Sequence, residues 1–305
     1  MERQAPVQPA FSSYGGQMSD MNAKPRVVII GCGYVGSAFG RRLVVDGYDV
    51  IGTTTSSQRV ATIRALGITP VVLDTADVGR LGHVLQDRDA AVLCVAPRAE
   101  QRDYRVTYLQ TARNLIEAAR LTAVSRFIYT GSTRVYPQND GEWVDENSPT
   151  QPTDENARIL LETEHVLLDG AKSLGADRPA SAVVLRLGGI YGPGRGALDS
   201  IFRSAGRQRD DGDFYLNRIH VDDIVAALAA LLGSDFQGVL NLCDDHPQTR
   251  RSFFDAALAS ADLSPIEWTS SSDRKNRGKR VRNDLIKTTL GLVLRHPRRS
   301  SGADQ

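Results

Sequence analysis

The hexapeptide Gly31-Cys32-Gly33-Tyr34-Val35-Gly36 can bind phosphate without using a charged side chain. It follows the apolar run Val27-Val28-Ile29-Ile30 and opens a stretch of helical spacing that reaches Val45. A GxGxxG pattern is informative only in such a strand–turn–helix setting. Gly31 suits the tight turn, Gly33 lets a diphosphate approach the backbone, and Gly36 lets the helix pack close to the strand. Tyr34 and Val35 lie in the first helical turn, whose amides have no intrahelical partner and carry partial positive charge. The bland alternative is a tight turn that holds no ligand.

A dinucleotide with free ribose hydroxyls is usually held by an acid at the end of the second strand. Here Asp49-Val50-Ile51-Gly52 runs into Thr53, Thr54, Thr55, Ser56 and Ser57, followed by Gln58 and Arg59. A carboxylate would repel a 2′-phosphate, whereas hydroxyls and a guanidinium accept one. The pattern favours NADP, with NAD as the alternative. Asp74 ends the third strand and could meet the adenine amino group, or it could simply cap a turn or helix.

Other constellations are weaker. His83, His165, His220, His246 and His296 share no HxxxH or HxH spacing, so no metal site is expected. Cys32, Cys94 and Cys243 sit in apolar segments without CxxC spacing, a reduced pattern that points to the cytoplasm. Gly131-Ser132-Thr133 is not a GxSxG nucleophile elbow. Residues 140–164 hold eight acids against Arg158 alone. Paired carboxylates could serve a hydrolase, but a solvated loop and helix face is the expectation.

The elements that must carry these residues alternate. Strands are expected at residues 27–30, 49–52, 71–73, 91–95, 126–130 and 182–186, separated by helix-length stretches. Such β-branched, wholly apolar runs mark a parallel sheet covered on both faces. Leu109, Ala112, Leu115, Ile116 and Ala119 recur at helical spacing, as do Leu160, Leu161, Glu164, Leu167 and Leu168. After Arg186 the pattern changes to Gly, Pro and Asp punctuation, a helix near 222–232 and a strand at 239–242. The expected fold class is α/β, a Rossmann-type doubly wound parallel sheet with a smaller mixed C-terminal substrate region. The expected divisions are a disordered tail at 1–24, a dinucleotide domain at 25–187, an interleaved substrate region at 188–295 and a tail at 296–305.

The 305 residues include 37 basic and 36 acidic side chains, and 41% are hydrophobic. That balance gives no global drive toward nucleic acid or an anionic membrane. No apolar run approaches the roughly 20 residues that span a bilayer, and residues 1–24 lack a secretory pattern. Residues 274–299 carry ten basic residues against Asp284. A nucleic-acid contact could use them, but a solvated surface segment is expected.

Several motifs now align in order. They are the glycine loop 31–36, Cys94-Val95-Ala96-Pro97, Asn114-Leu115-Ile116-Glu117-Ala118-Ala119, and Tyr129-Thr130-Gly131-Ser132-Thr133-Arg134-Val135-Tyr136. They continue with residues 185–194, reading Leu-Arg-Leu-Gly-Gly-Ile-Tyr-Gly-Pro-Gly, and Ile219-His220-Val221-Asp222-Asp223-Ile224. In this order they resemble the extended short-chain dehydrogenase/reductase superfamily, in its NAD(P)-dependent epimerase/dehydratase family, over about residues 26–294. The GxGxxG spacing, where extended members usually have GxxGxxG, resembles the atypical branch that includes the bacterial YeeZ-like proteins. The resemblance implies that Ser132 hydrogen-bonds the reacting substrate oxygen. It implies that Ala96 and Pro97 line the nicotinamide side, with Leu187, Gly188 and Gly189 near the carboxamide. Arg195 or Arg218 would face an anionic substrate such as a nucleotide diphosphate, and a surface ion pair is the alternative for Arg218. His220 to Asp223 would fix the second region to the first and start a helix.

The family's proton-transfer pair, Tyr-x-x-x-Lys on the helix after the fifth strand, is missing. That spacing puts both side chains on one helical face, where the cation lowers the phenol pKa. Matching Glu162 to the acid that usually follows the lysine puts Asp154 at Tyr and Arg158 at Lys; a shift of two gives Asn156 and Leu160. An arginine stays charged at physiological pH, so Arg158 can bind ribose or phosphate but cannot shuttle protons. Asp154 most simply pairs with Arg158 and is then a poor acid; apart from it, Asp154 could be a weak base. Tyr136 and Tyr191 are the available phenols, with packing as their alternative role, as for Tyr104 and Tyr108. The expected function is an NAD(P)-dependent oxidoreductase or epimerase acting on a small hydroxylated molecule or nucleotide sugar. The alternative is a non-catalytic NADP(H)-binding redox sensor. The expected partner is a small-molecule substrate. Helices around 104–120 and 156–172 could build a homodimer, or their stripes could be sheet-facing core.

Overall fold

The computed structural model describes residues 24–97, 103–174, 179–196, 198–269 and 276–297. The tail readings at 1–23 and 298–305 therefore lie outside the described residues, as does part of the basic segment. In chain order the first strands and helices are β1 (Arg26–Ile30), α1 (Tyr34–Val45), β2 (Asp49–Thr54), α2 (Val60–Ala65), β3 (Thr69–Val72), α3 (Val78–Leu85) and β4 (Ala90–Leu93). Then come α4 (Thr111–Ala119), β5 (Arg126–Ser132), β6 (Asp140–Val144), α5 (Glu155–Ser173), β7 (Ser181–Leu187) and β8 (Gly189–Tyr191). The remainder is α6 (Leu198–Phe202), β9 (Gln208–Arg209), β10 (Tyr215–Leu216), β11 (Arg218–His220), α7 (Val221–Leu232) and β12 (Gly238–Leu242). It closes with β13 (Gln248–Thr249), α8 (Arg250–Ser260), β14 (Glu267–Trp268), β15 (Gly278–Val281) and α9 (Asp284–Leu290).

Seven strands form one sheet in the order β12-β7-β5-β4-β1-β2-β3, and every pairing is parallel. The apolar runs alternate their side chains between two covered faces. Val27 and Ile29 of β1 join Phe39 and Leu43 of α1 and Leu228 of α7. Val28 and Ile30 join Leu81 of α3, Leu115 of α4 and Leu167 of α5 on the other face. Leu109, Ala112, Leu115, Ile116 and Ala119 are all buried within this chain, so core packing accounts for that stripe. The strand at 238–242 returns to the sheet beside β7, so the C-terminal region is interleaved with the first. Short ladders build the rest: β8 with β11, β9 with β14, β10 with β13 and β6 with β15.

One polar network crosses this core. Arg186 on β7 donates from Nε to Glu164 Oε1 at 3.0 Å and from Nη2 to Oε2 at 2.7 Å. Its Nη1 donates to the Tyr136 hydroxyl at 2.9 Å, which donates to Asn241 Oδ1 on β12 at 2.8 Å. The Asn241 amide donates to Glu146 at 2.7 Å. The solvated reading of the acids at 140–164 is thereby corrected at Glu164, which is 1% exposed. Burial pushes the Glu164 carboxyl up, and the bonds and charge of Arg186 offset part of that, leaving a net upward shift. A carboxylate at helical spacing with leucines is accommodated because a cation on the facing strand neutralises it.

Replacing one member of a buried pair leaves the other uncompensated, at a cost of about 3–5 kcal/mol. Glu164→Gln is therefore expected to lose that much stability in urea unfolding. Glu162→Gln, which breaks the half-exposed pair with Arg113, should cost less than about 1 kcal/mol. Equal small losses in both variants would refute the role given to Glu164.

Candidate active site and dinucleotide cleft

The chain lays β2 and β3 on one side of β1, then crosses to β4 on the other. Ligands bind where a sheet of this kind reverses, outside the carboxyl ends of its strands. The glycine loop leaves β1 at that point. Gly31 has φ +96°, in the left-handed region, and an added Cβ would lie 3.0 Å from the Cys94 carbonyl oxygen. A Cβ on Gly36 would overlap the Gly31 carbonyl oxygen. A Cβ on Gly33 would meet nothing within 4 Å, so the space over the start of α1 is open. Gly33 caps α1 without a side-chain hydrogen bond, and no acid lies in the first turn. These features fit a diphosphate.

The end of β2 braces the loop. Thr53 is buried, and its Oγ1 accepts the Gly31 amide at 3.0 Å. Its carbonyl accepts the Cys32 amide at 2.8 Å. Thr54 is also buried, and its Oγ1 accepts the Ser56 amide at 3.2 Å. Arg59 is exposed and folds back to α1, where Nη2 donates to Ser37 Oγ at 3.3 Å. Asp74 is exposed, and its Oδ1 accepts the Ala76 amide at 3.0 Å in a turn. Beyond β4, Ala96 is exposed and Pro97 half-buried.

Beside the cleft lies a cavity of about 500 Å³. Ser132, Leu187 and Gly188 line it from the ends of β5 and β7, and Arg195 and Arg218 line it from the second region. The resemblance gives Ser132 to the substrate oxygen, Leu187 and Gly188 to the cofactor and Arg195 or Arg218 to an anionic substrate, and the fold places all five on one cavity. Ser132 Oγ accepts the Arg134 amide at 3.2 Å across a tight turn. Tyr34 donates to the Pro193 carbonyl at 3.0 Å, and Arg195 stacks 5.4 Å from its ring. Arg218 stacks 4.4 Å from the Phe253 ring rather than standing on the open surface.

The cavity also contains Arg134 and Lys279, which sequence reasoning does not single out. Arg134, Arg195, Arg218 and Lys279 make four lining cations, with no Asp or Glu among the lining residues. Such a pocket carries a positive potential that draws anions. By sequence alone Lys279 belongs to the solvated basic segment. The segment Gly278-Lys279-Arg280-Val281 forms β15 and pairs with β6, and no apolar/polar alternation in the sequence announces it. Burial pushes the Lys279 ammonium down to about 8, with Asp154 opposing and Arg134 reinforcing the shift.

Three expected catalytic positions, Tyr136, Asp154 and Arg158, are not among the lining residues. Tyr136 is 1% exposed with its hydroxyl bonded to Arg186 and Asn241. It belongs to the core, and burial raises its pKa despite those partners. Asp154 does not pair with Arg158. It caps α5 by accepting the Ala157 amide at 3.0 Å and pairs with Arg134 at 3.0 Å. As an N-cap it lies outside the helical face that an i,i+4 pairing needs. Burial raises its pKa, but the Ala157 amide and Arg134 outweigh this, and the net shift is downward. Arg158 is exposed, donates to the Pro152 carbonyl at 3.2 Å and lies 3.8 Å from Glu155. In the other register Leu160 packs with Val135 and Tyr136, and Asn156 is half-buried. Tyr104 and Tyr108 pack ring to ring at 5.2 Å.

His220 caps α7 through Nδ1, which accepts the Asp222 amide at 3.1 Å. Asp223 is fully buried and accepts the amides of Arg295 at 2.7 Å and His296 at 3.1 Å. The motif thus starts a helix and holds the C-terminal segment. Folding also brings ligand atoms of His220, Asp222 and His296 within 4.8 Å of one another, which spacing along the chain does not reveal. The two imidazoles stack at 3.7 Å between ring centroids.

Protein YeeZ of Escherichia coli (strain K12) is 29% identical over 282 residues, covering 89% of this chain and 96% of that protein. The structure of a functionally unknown conserved protein from Silicibacter pomeroyi DSS is 27% identical with TM-score 0.69, covering 90% and 95%. UDP-glucuronic acid 4-epimerase from Bacillus cereus, solved in complex with NAD, shares the fold with TM-score 0.70 at 18% identity, covering 88% and 94%. A sequence model of the NAD dependent epimerase/dehydratase family matches residues 27–243. With its glycine loop, sheet order and matched span, the chain belongs to the NAD dependent epimerase/dehydratase family.

Proposed function

We propose that this protein binds NADP(H) and carries out an oxidoreductase or epimerase step on an anionic, hydroxylated substrate, with a nucleotide sugar as the best match. The observation that carries the reading is the cavity itself: Ser132 and four cations line it, and no acid does. A sugar bearing a diphosphate supplies the hydroxyls and the negative charge that such walls select. The structural neighbours include MoeE5, solved with UDP-glucose and NAD and with UDP-glucuronic acid and NAD. The glycine loop would hold the diphosphate of the cofactor on the amides at the start of α1. Bound there, the nicotinamide supplies a hydride acceptor or donor.

The choice of NADP rests on the end of β2. No carboxylate stands there, and Arg59 already lies over the first turn of α1 through Ser37. Thr53 is engaged with the loop, so the guanidinium is the main group offered to a 2′-phosphate. We assign the protein to the cytoplasm. In support, all three cysteines are buried thiols, and no helix among the described residues is long and apolar enough to cross a membrane. A second reading, the non-catalytic redox sensor, draws on the exposed Arg158 and the core position of Tyr136.

Calorimetric titration separates the cofactors. A charge-assisted contact contributes about 1.5–3 kcal/mol, so NADPH should bind roughly 10- to 100-fold tighter than NADH. Arg59→Ala should erase that preference and leave NADH binding unchanged; tighter NADH binding in the parent would reverse the choice. For the reaction, Ser132→Ala should lower kcat about 10²-fold on any turned-over nucleotide sugar while leaving NADPH affinity intact. NADPH binding without turnover across a panel of nucleotide sugars would favour the sensor.

A further inference from the structure

We propose that Lys279 is the proton-carrying group of the cavity, standing in for the tyrosine and lysine that α5 does not provide. The assignment rests on the oxidoreductase reading above. Its basis is position. Lys279 lies on β15, between Gly278 and Arg280, whose partners on β6 are Asp140 and Trp143, so the ladder takes up one extra residue on β6 opposite it. Arg280 bonds the Gly141 carbonyl at 2.7 Å and stacks on Trp143 at 4.9 Å, while its neighbour Lys279 lines the cavity. Asn217 clamps one edge of the strand at two points: its Nδ2 donates to the Lys279 carbonyl at 2.8 Å and its Oδ1 accepts the Val281 amide at 2.8 Å.

The Nζ atom donates to the Tyr136 carbonyl at 2.5 Å. Tyr136 closes the same turn that Ser132 opens. The amine and the Ser132 hydroxyl therefore sit at the two ends of one turn, and both residues line one cavity. An ammonium has three hydrogens and an amine two, so the Tyr136 bond leaves at least one for the substrate in either state.

The surroundings suit proton exchange near neutral pH. Burial disfavours the charged form most strongly. Arg134, from the turn after β5, disfavours it too, while Asp154 at the start of α5 and Glu142 on β6 favour it; the Cys243 thiol after β12, pushed up by burial, is uncharged in this range. Tyr215 on β10 completes the wall. The resulting value of about 8 leaves both forms populated at physiological pH; an arginine there would stay charged. In oxidation, the substrate O–H proton passes to unprotonated Nζ, and hydride leaves the same carbon for the oxidised nicotinamide dinucleotide. The alcohol becomes a carbonyl and the amine an ammonium. Reduction runs the same transfers backwards.

The chain has five lysines, so NMR of lysine labelled at Cε resolves each titration in cofactor-free protein, with Lys279→Arg identifying the signal. The expected midpoint for Lys279 is about 8. Lys279→Arg should keep NADPH affinity and shift substrate KM less than about threefold. It should lower kcat by roughly 10²- to 10⁴-fold and abolish the ionisation in the pH profile. Lys279→Met should lose kcat equally. A midpoint at the ordinary lysine value of about 10.4, or a Lys279→Arg variant with parent kcat and pH profile, would overturn the assignment. Failure of the parent to bind any nicotinamide dinucleotide would instead sink the oxidoreductase reading.

Discussion

A methyl group on Gly36 would overlap the carbonyl oxygen of Gly31, and this close approach governs the geometry of the cleft. It brings α1 hard against the end of β1, so the first-turn amides open onto the edge where the sheet order reverses. The Gly33 position stays clear above them. Thr53 fixes the loop from below through both its hydroxyl and its carbonyl. The result is a braced loop whose backbone donors open onto clear space, which lowers the ordering cost of binding a phosphate.

A second constraint shapes the reaction side. The Arg186–Glu164 pair and the Tyr136 hydroxyl tie β7, α5, β12 and the turn after β5 into one buried network. That turn carries Ser132 at its start, and Lys279 is bonded to the carbonyl at its end. The core network and the cavity thus share one piece of backbone. A low-dielectric, hydrogen-bonded interior on one side holds the polar groups of the other in place. The same arrangement explains why a tyrosine in a motif segment is unavailable for chemistry: its phenol satisfies a buried arginine.

Much of the architecture is legible in the sequence because it depends on local pattern. The glycine loop, the apolar strands and the helical stripe from Leu109 to Ala119 are all short-range signals, and β12 announces itself as Val239-Leu240-Asn241-Leu242. Ser132 is legible through its motif and stands on the cavity. The features that escape depend on pairing between distant segments. Glu164 reads as one acid among eight until Arg186 on β7 is set beside it. Asp154 reads as a partner for Arg158 until it becomes the helix cap and meets Arg134 instead. Lys279 reads as one cation among ten until β15 joins β6, more than a hundred residues earlier. Charge runs carry little information about burial, because burial is decided by the partner strand.

A crystal structure grown with NADPH is the most direct test of the phosphate cradle. The expected result is the diphosphate on the amides of residues 34–36 and the 2′-phosphate beside Arg59, with the nicotinamide toward Ser132. A dinucleotide seated elsewhere, or crystals that stay empty at millimolar NADPH, would contradict it.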